Sequence, residues 1–127
     1  MIYFLEIDDV IKLHKALIVK FGGLAGLRDR NLLESALVYP QLLFSMKKEQ
    51  DIYILGGAYC YHLIANHPFV DGNKRIGVLA MLTFFKMNGF DLHIENDKLY
   101  DFAMDIAMSK IAEDRVAQIL KTIALKN

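Results

Sequence analysis

Apolar residues in this chain recur mostly at spacings of three and four, the pattern of helices that bury one face. Val10, Leu13, Leu17, Ile18 and Phe21 form the first such stripe. Asp8 or Asp9 suits its N-cap. Gly22-Gly23 suits its end, because glycine takes the left-handed backbone of a helix C-terminus at little cost. Ahead of this helix, residues 1–6 (MIYFLE) read as a short extended segment. Residues 22–30 (GGLAGLRDR) form a glycine-punctuated loop. Asn31 and Glu34 have the spacing of a capping box, with Asp29 a rival cap. A short helix is expected over 31–38, ended near Pro40. Residues 41–50 (QLLFSMKKEQ) are read as a second short helix followed by a charged loop.

One later segment has no polar face. Residues 51–66 (DIYILGGAYCYHLIAN) are apolar around nearly the whole helical circumference, which predicts a central, buried helix. Gly56-Gly57 allows another helix to approach it closely. Residues 74–88 (KRIGVLAMLTFFKMN) predict a second buried helix, closed by Asn88-Gly89. Between the two lies HPFVDGNKR (67–75), punctuated by Pro68 and Gly72, with Asp71 or Gly72 capping the helix that follows. Phe90 to Ile94 is a brief extended connector. Leu99, Phe102, Ala103, Ile106 and Ala107 mark a fifth helical face. After a break near Ser109, Val116, Ile119, Leu120 and Ile123 mark a last one. The expectation is an all-α bundle in a single domain over 1–127, with two central helices joined by one polar loop.

Charge narrows the function. Lys plus Arg is 15, Asp plus Glu is 15, and the formal net charge is zero. Direct nucleic-acid binding by bulk electrostatics needs a surplus of cations and is not expected. The same balance argues against a polybasic membrane-surface protein. The single cysteine, Cys60, excludes a disulfide framework and a multi-cysteine zinc site, and its apolar setting predicts a buried, inert thiol. The N-terminus lacks a basic leader, and no apolar run is long enough for a membrane span. A cytoplasmic chain is expected.

The loop at 67–75 concentrates the chemistry. A helix beginning after Asp71 offers unpaired backbone N–H groups and the positive end of its dipole. Gly72 leaves the backbone open to an anion, and Asn73 carries an amide donor. Lys74 and Arg75 add cations, and an arginine can grip two phosphate oxygens at once. A polyphosphate usually arrives with Mg²⁺, which favours one or two carboxylates plus phosphate oxygens, a role for Asp71. His67 is the loop's only group that titrates near neutrality and suits a general base. Phe69 reads as a hydrophobic anchor. The same residues also suit a solvated turn with a helix cap, and His67 a surface histidine; spacing alone leaves both readings standing. His67 with Asp71 is too few ligands for zinc. His62 reads as a core or helix-face histidine, and His14 and His93 as similarly ordinary.

HPFVDGNKR resembles the signature loop of the Fic/Doc superfamily, His-Pro-Phe-x-Asp/Glu-Gly-Asn-x-Arg. FGGLAGLRDRNLLESAL (21–37), the buried helix before the loop and KMNGF (86–90) are similar to its death-on-curing (Doc) toxin branch. The resemblance covers essentially the whole chain and implies a Fic/Doc-type helical bundle. Fic proteins that transfer AMP generally have glycine where this chain has Lys74, and a second arginine where it has Val78. The Doc branch instead presents the γ-phosphate of ATP to the target. The resemblance therefore implies a toxin that phosphorylates a Ser or Thr hydroxyl of a protein, with elongation factor Tu as the target and translation halted. His67 resembles the general base and Asp71 the Mg²⁺-holding carboxylate. Gly72 and Asn73 resemble the anion-hole positions, Lys74 and Arg75 the phosphate-binding cations, and Phe69 the buried structural position. A cognate antitoxin, whose C-terminal segment adds a helix completing the fold, is the implied partner. Residues 45–52 (SMKKEQDI) lie where the family has a substrate-docking flap, with a plain solvated loop as the alternative reading. AMP transfer, or a non-catalytic Fic-fold binding module, are the competing readings.

Overall fold

The segment with no polar face takes the centre. The structure, a computed structural model, describes residues 1–124; the last three residues of the expected 1–127 domain lie outside them. Its helices are α1 (Ile7–Phe21), α2 (Arg30–Ser45), α3 (Ile52–Asn66), α4 (Asn73–Met87), α5 (Asn96–Ala107) and α6 (Val116–Ile123), the last preceded by a 3₁₀ turn at Glu113–Arg115. The all-α expectation holds: among the described residues the only β pairing is an isolated bridge between Leu27 and Phe69. Helix α3 packs against α2, α4, α5 and α6. Leu55, Tyr59, Cys60 and Leu63 on α3 are wholly buried, as are Ile76, Ala80, Met81, Phe84 and Phe85 on α4.

Glycine sets the spacing of the central pair. A Cβ on Gly56 would meet the Phe85 ring at 2.6 Å, and one on Gly77 would meet Ile64 Cγ1 at 2.9 Å. Contacts that short do not exist between real side chains, so α3 and α4 approach as closely as they do only because both positions are glycine. Interiors packed at crystal density pass such constraints on to the loop at the helix ends.

Several expectations about the first two helices change. Helix α1 is capped from Glu6, whose backbone N–H donates to Asp9 Oδ2 at 3.1 Å; Asp9 works from inside the first turn. Its apolar stripe also runs off the core, for Val10 is buried while Phe21 is exposed. Helix α2 does not stop near Pro40 but continues to Ser45. Proline in a helix interior costs about 3 kcal/mol, yet Leu33, Ala36, Leu37 and Pro40 form one buried face, and that packing outweighs the lost backbone bond. Its cap is Asp29, whose Oδ1 accepts from Leu32 N–H at 3.0 Å, rather than Asn31.

A further point concerns the flap expected at 45–52. Ser45 ends α2 and Ile52 begins α3, so the connection is residues 46–51. It sits at the N-terminal end of α3, whereas the loop at 67–75 follows its C-terminal end. Fifteen helical residues separate the two by about 22 Å. The segment that lies along the 67–75 loop is instead residues 22–29. No helix among the described residues is long and apolar enough to cross a membrane.

Candidate active site

Helix α3 ends because His67 takes a left-handed backbone, φ 51° and ψ 52°. A non-glycine residue held there costs about 1–3 kcal/mol unless its surroundings fix it. Arg28 does much of the fixing. Its Nε–H donates to the His67 carbonyl at 2.7 Å and its Nη2 to the Asn66 carbonyl at 3.1 Å. The Pro68 carbonyl accepts from the N–H groups of Arg28 (2.7 Å) and Asp29 (3.0 Å), and Val70 N–H donates to the Gly26 carbonyl at 3.0 Å. Residues 22–29 thus form the wall against which 67–70 is laid. The hydrogen bonds at His67 run through its carbonyl, and the residue is exposed to solvent.

Asp71 is braced on both oxygens. Oδ2 accepts from Leu24 N–H at 3.1 Å and Oδ1 from Gly72 N–H at 2.9 Å. Those two bonds, the Leu24 one foremost, hold its carboxyl below the ordinary aspartate range, with the Arg75 and His14 charges adding to them. Gly23 makes the approach possible. A Cβ there would lie 2.7 Å from Asp71 Oδ2, and its φ of +113° is one that L side chains rarely adopt.

Gly72, also left-handed at φ 77°, opens α4 with no side-chain cap. The first bond of the α4 ladder runs from Ile76 N–H to the Gly72 carbonyl at 2.9 Å. The N–H groups of Asn73, Lys74 and Arg75 come before it and are free for an anion. Asn73 differs from expectation. It is 5% exposed, and its side chain turns inward. Oδ1 accepts from Phe69 N–H and Nδ2 donates to the Phe69 carbonyl, both at 3.0 Å. Its amide closes the loop into a ring, which leaves its backbone N–H for an anion. Lys74 and Arg75 are exposed, and the Arg75 guanidinium rests 4.9 Å from the centre of the Phe21 ring. Phe69 is buried at 1% exposure, the anchor its type suggests.

His14, which looked ordinary, belongs to this site. It is 2% exposed, with Nε2 2.8 Å from the Asp71 carbonyl oxygen. Its ring stacks on Phe69 at 3.8 Å between centroids and 10° between planes. A signal was present: His14 stands four residues after Val10 and three before Leu17, on the stripe facing inward, where a polar group must find a partner. His62 does lie on a helix face, with Nε2 3.4 Å from Glu113 Oε1, and burial holds its pKa below the usual value.

The described residues contain no group of three or more His, Cys, Asp or Glu able to hold a metal. An exposed, doubly braced carboxylate beside free helix N–H groups does fit one ligand of a Mg²⁺ ion whose other ligands are phosphate oxygens and water.

A family model described as Fic/DOC matches residues 4–85. That is more than half of the chain, and the chain belongs to this family, in its Doc branch. Among its relatives, "Protein kinase doc" of Escherichia phage P1 is 27% identical over 116 residues, covering 91% of each chain. "Toxin Doc" of Mycolicibacterium smegmatis (strain ATCC 700084 / mc(2)155) is 30% identical over 127 residues, covering 98% of this chain and 95% of the relative.

Proposed function

We propose that this chain is a single-domain, Doc-type toxin with protein kinase activity. It moves the γ-phosphate of ATP to a Ser or Thr hydroxyl of a translation factor, elongation factor Tu being the target, and so halts translation in the cytoplasm. A cognate antitoxin restrains it. The relatives' names support a toxin and a kinase. The observation that carries the chemistry is the convergence on one loop of four features: an exposed histidine, a braced carboxylate, an uncapped helix N-terminus and two adjacent cations.

His67 accepts the proton of the target hydroxyl as the oxygen attacks the γ-phosphorus. The new P–O bond forms, the bond from the γ-phosphorus to the β–γ bridging oxygen breaks, and ADP leaves with that electron pair. Asp71 would hold Mg²⁺, which when bound neutralises charge on the phosphates. The N–H groups at the start of α4, with Lys74 and Arg75, hold the phosphate chain and fix its direction. The exposed segment 22–29, already laid along 67–70, is the edge past which the target's hydroxyl-bearing segment enters.

Incubation of the protein with γ-labelled and, separately, α-labelled ATP in a translation extract tests the proposal. Label is expected on a protein only from the γ-position. Label arriving only from the α-position would establish AMP transfer in its place.

A further inference from the structure

We infer that His14 is a positioning residue for phosphate transfer, acting through the peptide unit between Asp71 and Gly72. The proposal deepens the kinase reading and rests on it for the catalytic part.

A carbonyl oxygen only accepts, so the 2.8 Å contact requires His14 to carry its proton on Nε2 and donate it to Asp71. That bond fixes the plane of the 71–72 peptide. The amide of the same unit is Gly72 N–H, which braces Asp71 Oδ1 at 2.9 Å. The left-handed turn at Gly72 then sets the direction of the three free N–H groups of α4. One imidazole therefore orients both the carboxylate and the anion-binding helix end. Its second contact, the parallel stack on Phe69, steadies the loop on its other side. Phe69 is in turn ringed by the Asn73 amide. The sequence distance is large, 57 residues from His14 to Asp71, so α1 is tied to the loop across the fold. A buried histidine serves here where leucine would only fill space, because its Nε2 pairs with the Asp71 carbonyl oxygen.

The ring stack and the hydrogen bond separate by substitution. His14→Phe keeps an aromatic ring against Phe69 and loses the donor. His14→Gln loses the ring but carries an amide nitrogen at about the reach of imidazole Nε2. Outer-shell partners of this kind are typically worth about 10–100-fold. In free protein, amide hydrogen exchange is expected to speed at least about tenfold at Leu24 and Gly72 in His14→Phe. The α3 amides and the melting temperature should be little changed. His14→Gln should exchange like the wild type. With γ-labelled ATP, Mg²⁺ and a translation extract, His14→Phe should transfer phosphate about 10–100-fold more slowly and need more Mg²⁺ for half-maximal rate. His14→Gln should retain most of the activity. Unchanged exchange in His14→Phe, or equal losses in both variants, overturns the inference. If exchange responds as described while the wild type transfers no γ-phosphate, the positioning role stands and the kinase reading falls.

Discussion

Helices α3 and α4 begin in opposite ways. At the start of α3, Asp51 places Oδ1 2.9 Å from Tyr53 N–H, and Lys121 Nζ sits 2.7 Å from its Oδ2. The helix end is filled by the chain's own carboxylate, and that carboxylate is neutralised by a cation from α6. At the start of α4, a glycine holds the cap position and supplies no side chain. The carboxylate just before it, Asp71, is turned back to Leu24 and Gly72 instead of onto the helix. One N-terminus is closed for stability and the other is left open, with two cations just inside it. Two central helices of the same length and similar burial thus differ in which N-terminus is left uncapped.

The largest effect separating the two ends is expected from His67→Ala. General-base loss costs about 10²–10⁴-fold, so phosphate transfer from γ-labelled ATP and growth toxicity should both disappear. Circular dichroism and melting temperature should stay near wild type, since the hydrogen bonds at this residue use its carbonyl. Full toxicity of this variant would refute the general-base role. Asp71→Asn comes next. It keeps the shape and loses the charge, and transfer should fall by about 10–100-fold with a higher Mg²⁺ requirement in a metal titration. An unchanged Mg²⁺ dependence would contradict the assignment. Asp51→Ala should do the reverse of both. Losing an N-cap costs about 1 kcal/mol, readable as a midpoint shift in urea, while the transfer rate of the folded protein is unaffected. A large activity loss in that variant would break the comparison.

The smallest effect is a pH dependence. Burial pushes the Asp51 carboxyl up, but hydrogen bonds from Lys121 and Tyr53 outweigh it and leave the folded value below the ordinary one. A depressed carboxyl stabilises the fold above its unfolded pKa of about 3.9 and loses that contribution as pH falls through the folded value. Because the pair is partly exposed, solvent screening keeps this to under about 1 kcal/mol. Melting temperature should therefore decline below about pH 4, and less steeply in Asp51→Asn. Equal slopes in the two proteins would remove Asp51 from the explanation.

Helix α3 was legible because a helix apolar on every side has few places to go, and α4 because most of its residues are apolar. The loop was legible because its polar groups are dense and its motif long. What stayed hidden depended on partners far along the chain. Pro40 looked like a stop, since local propensity carries no information about the buried face it completes with Leu33, Ala36 and Leu37. Asn73 looked like a ligand-facing amide, yet direction is a property of the folded loop, and it points at Phe69. His14 looked ordinary because its partner lies 57 residues away. Counting residues along the chain did not say which end of α3 the 46–51 connection reaches, nor that Arg28 and Gly26 would bond the signature loop.

The pairing of α3 and α4 has one more consequence. Cys60 is fully buried, its thiol pushed far up by desolvation, and its carbonyl would lie 3.2 Å from a Cβ on Gly77. A fully buried thiol meets no reagent while the core stays closed. The chain's lone sulfhydryl is thus a built-in clock: the rate at which a thiol-reactive dye marks the protein counts how often the core around α3 opens. Run with a nucleotide or a candidate peptide present, the same clock reads whether either one changes the rate of that opening.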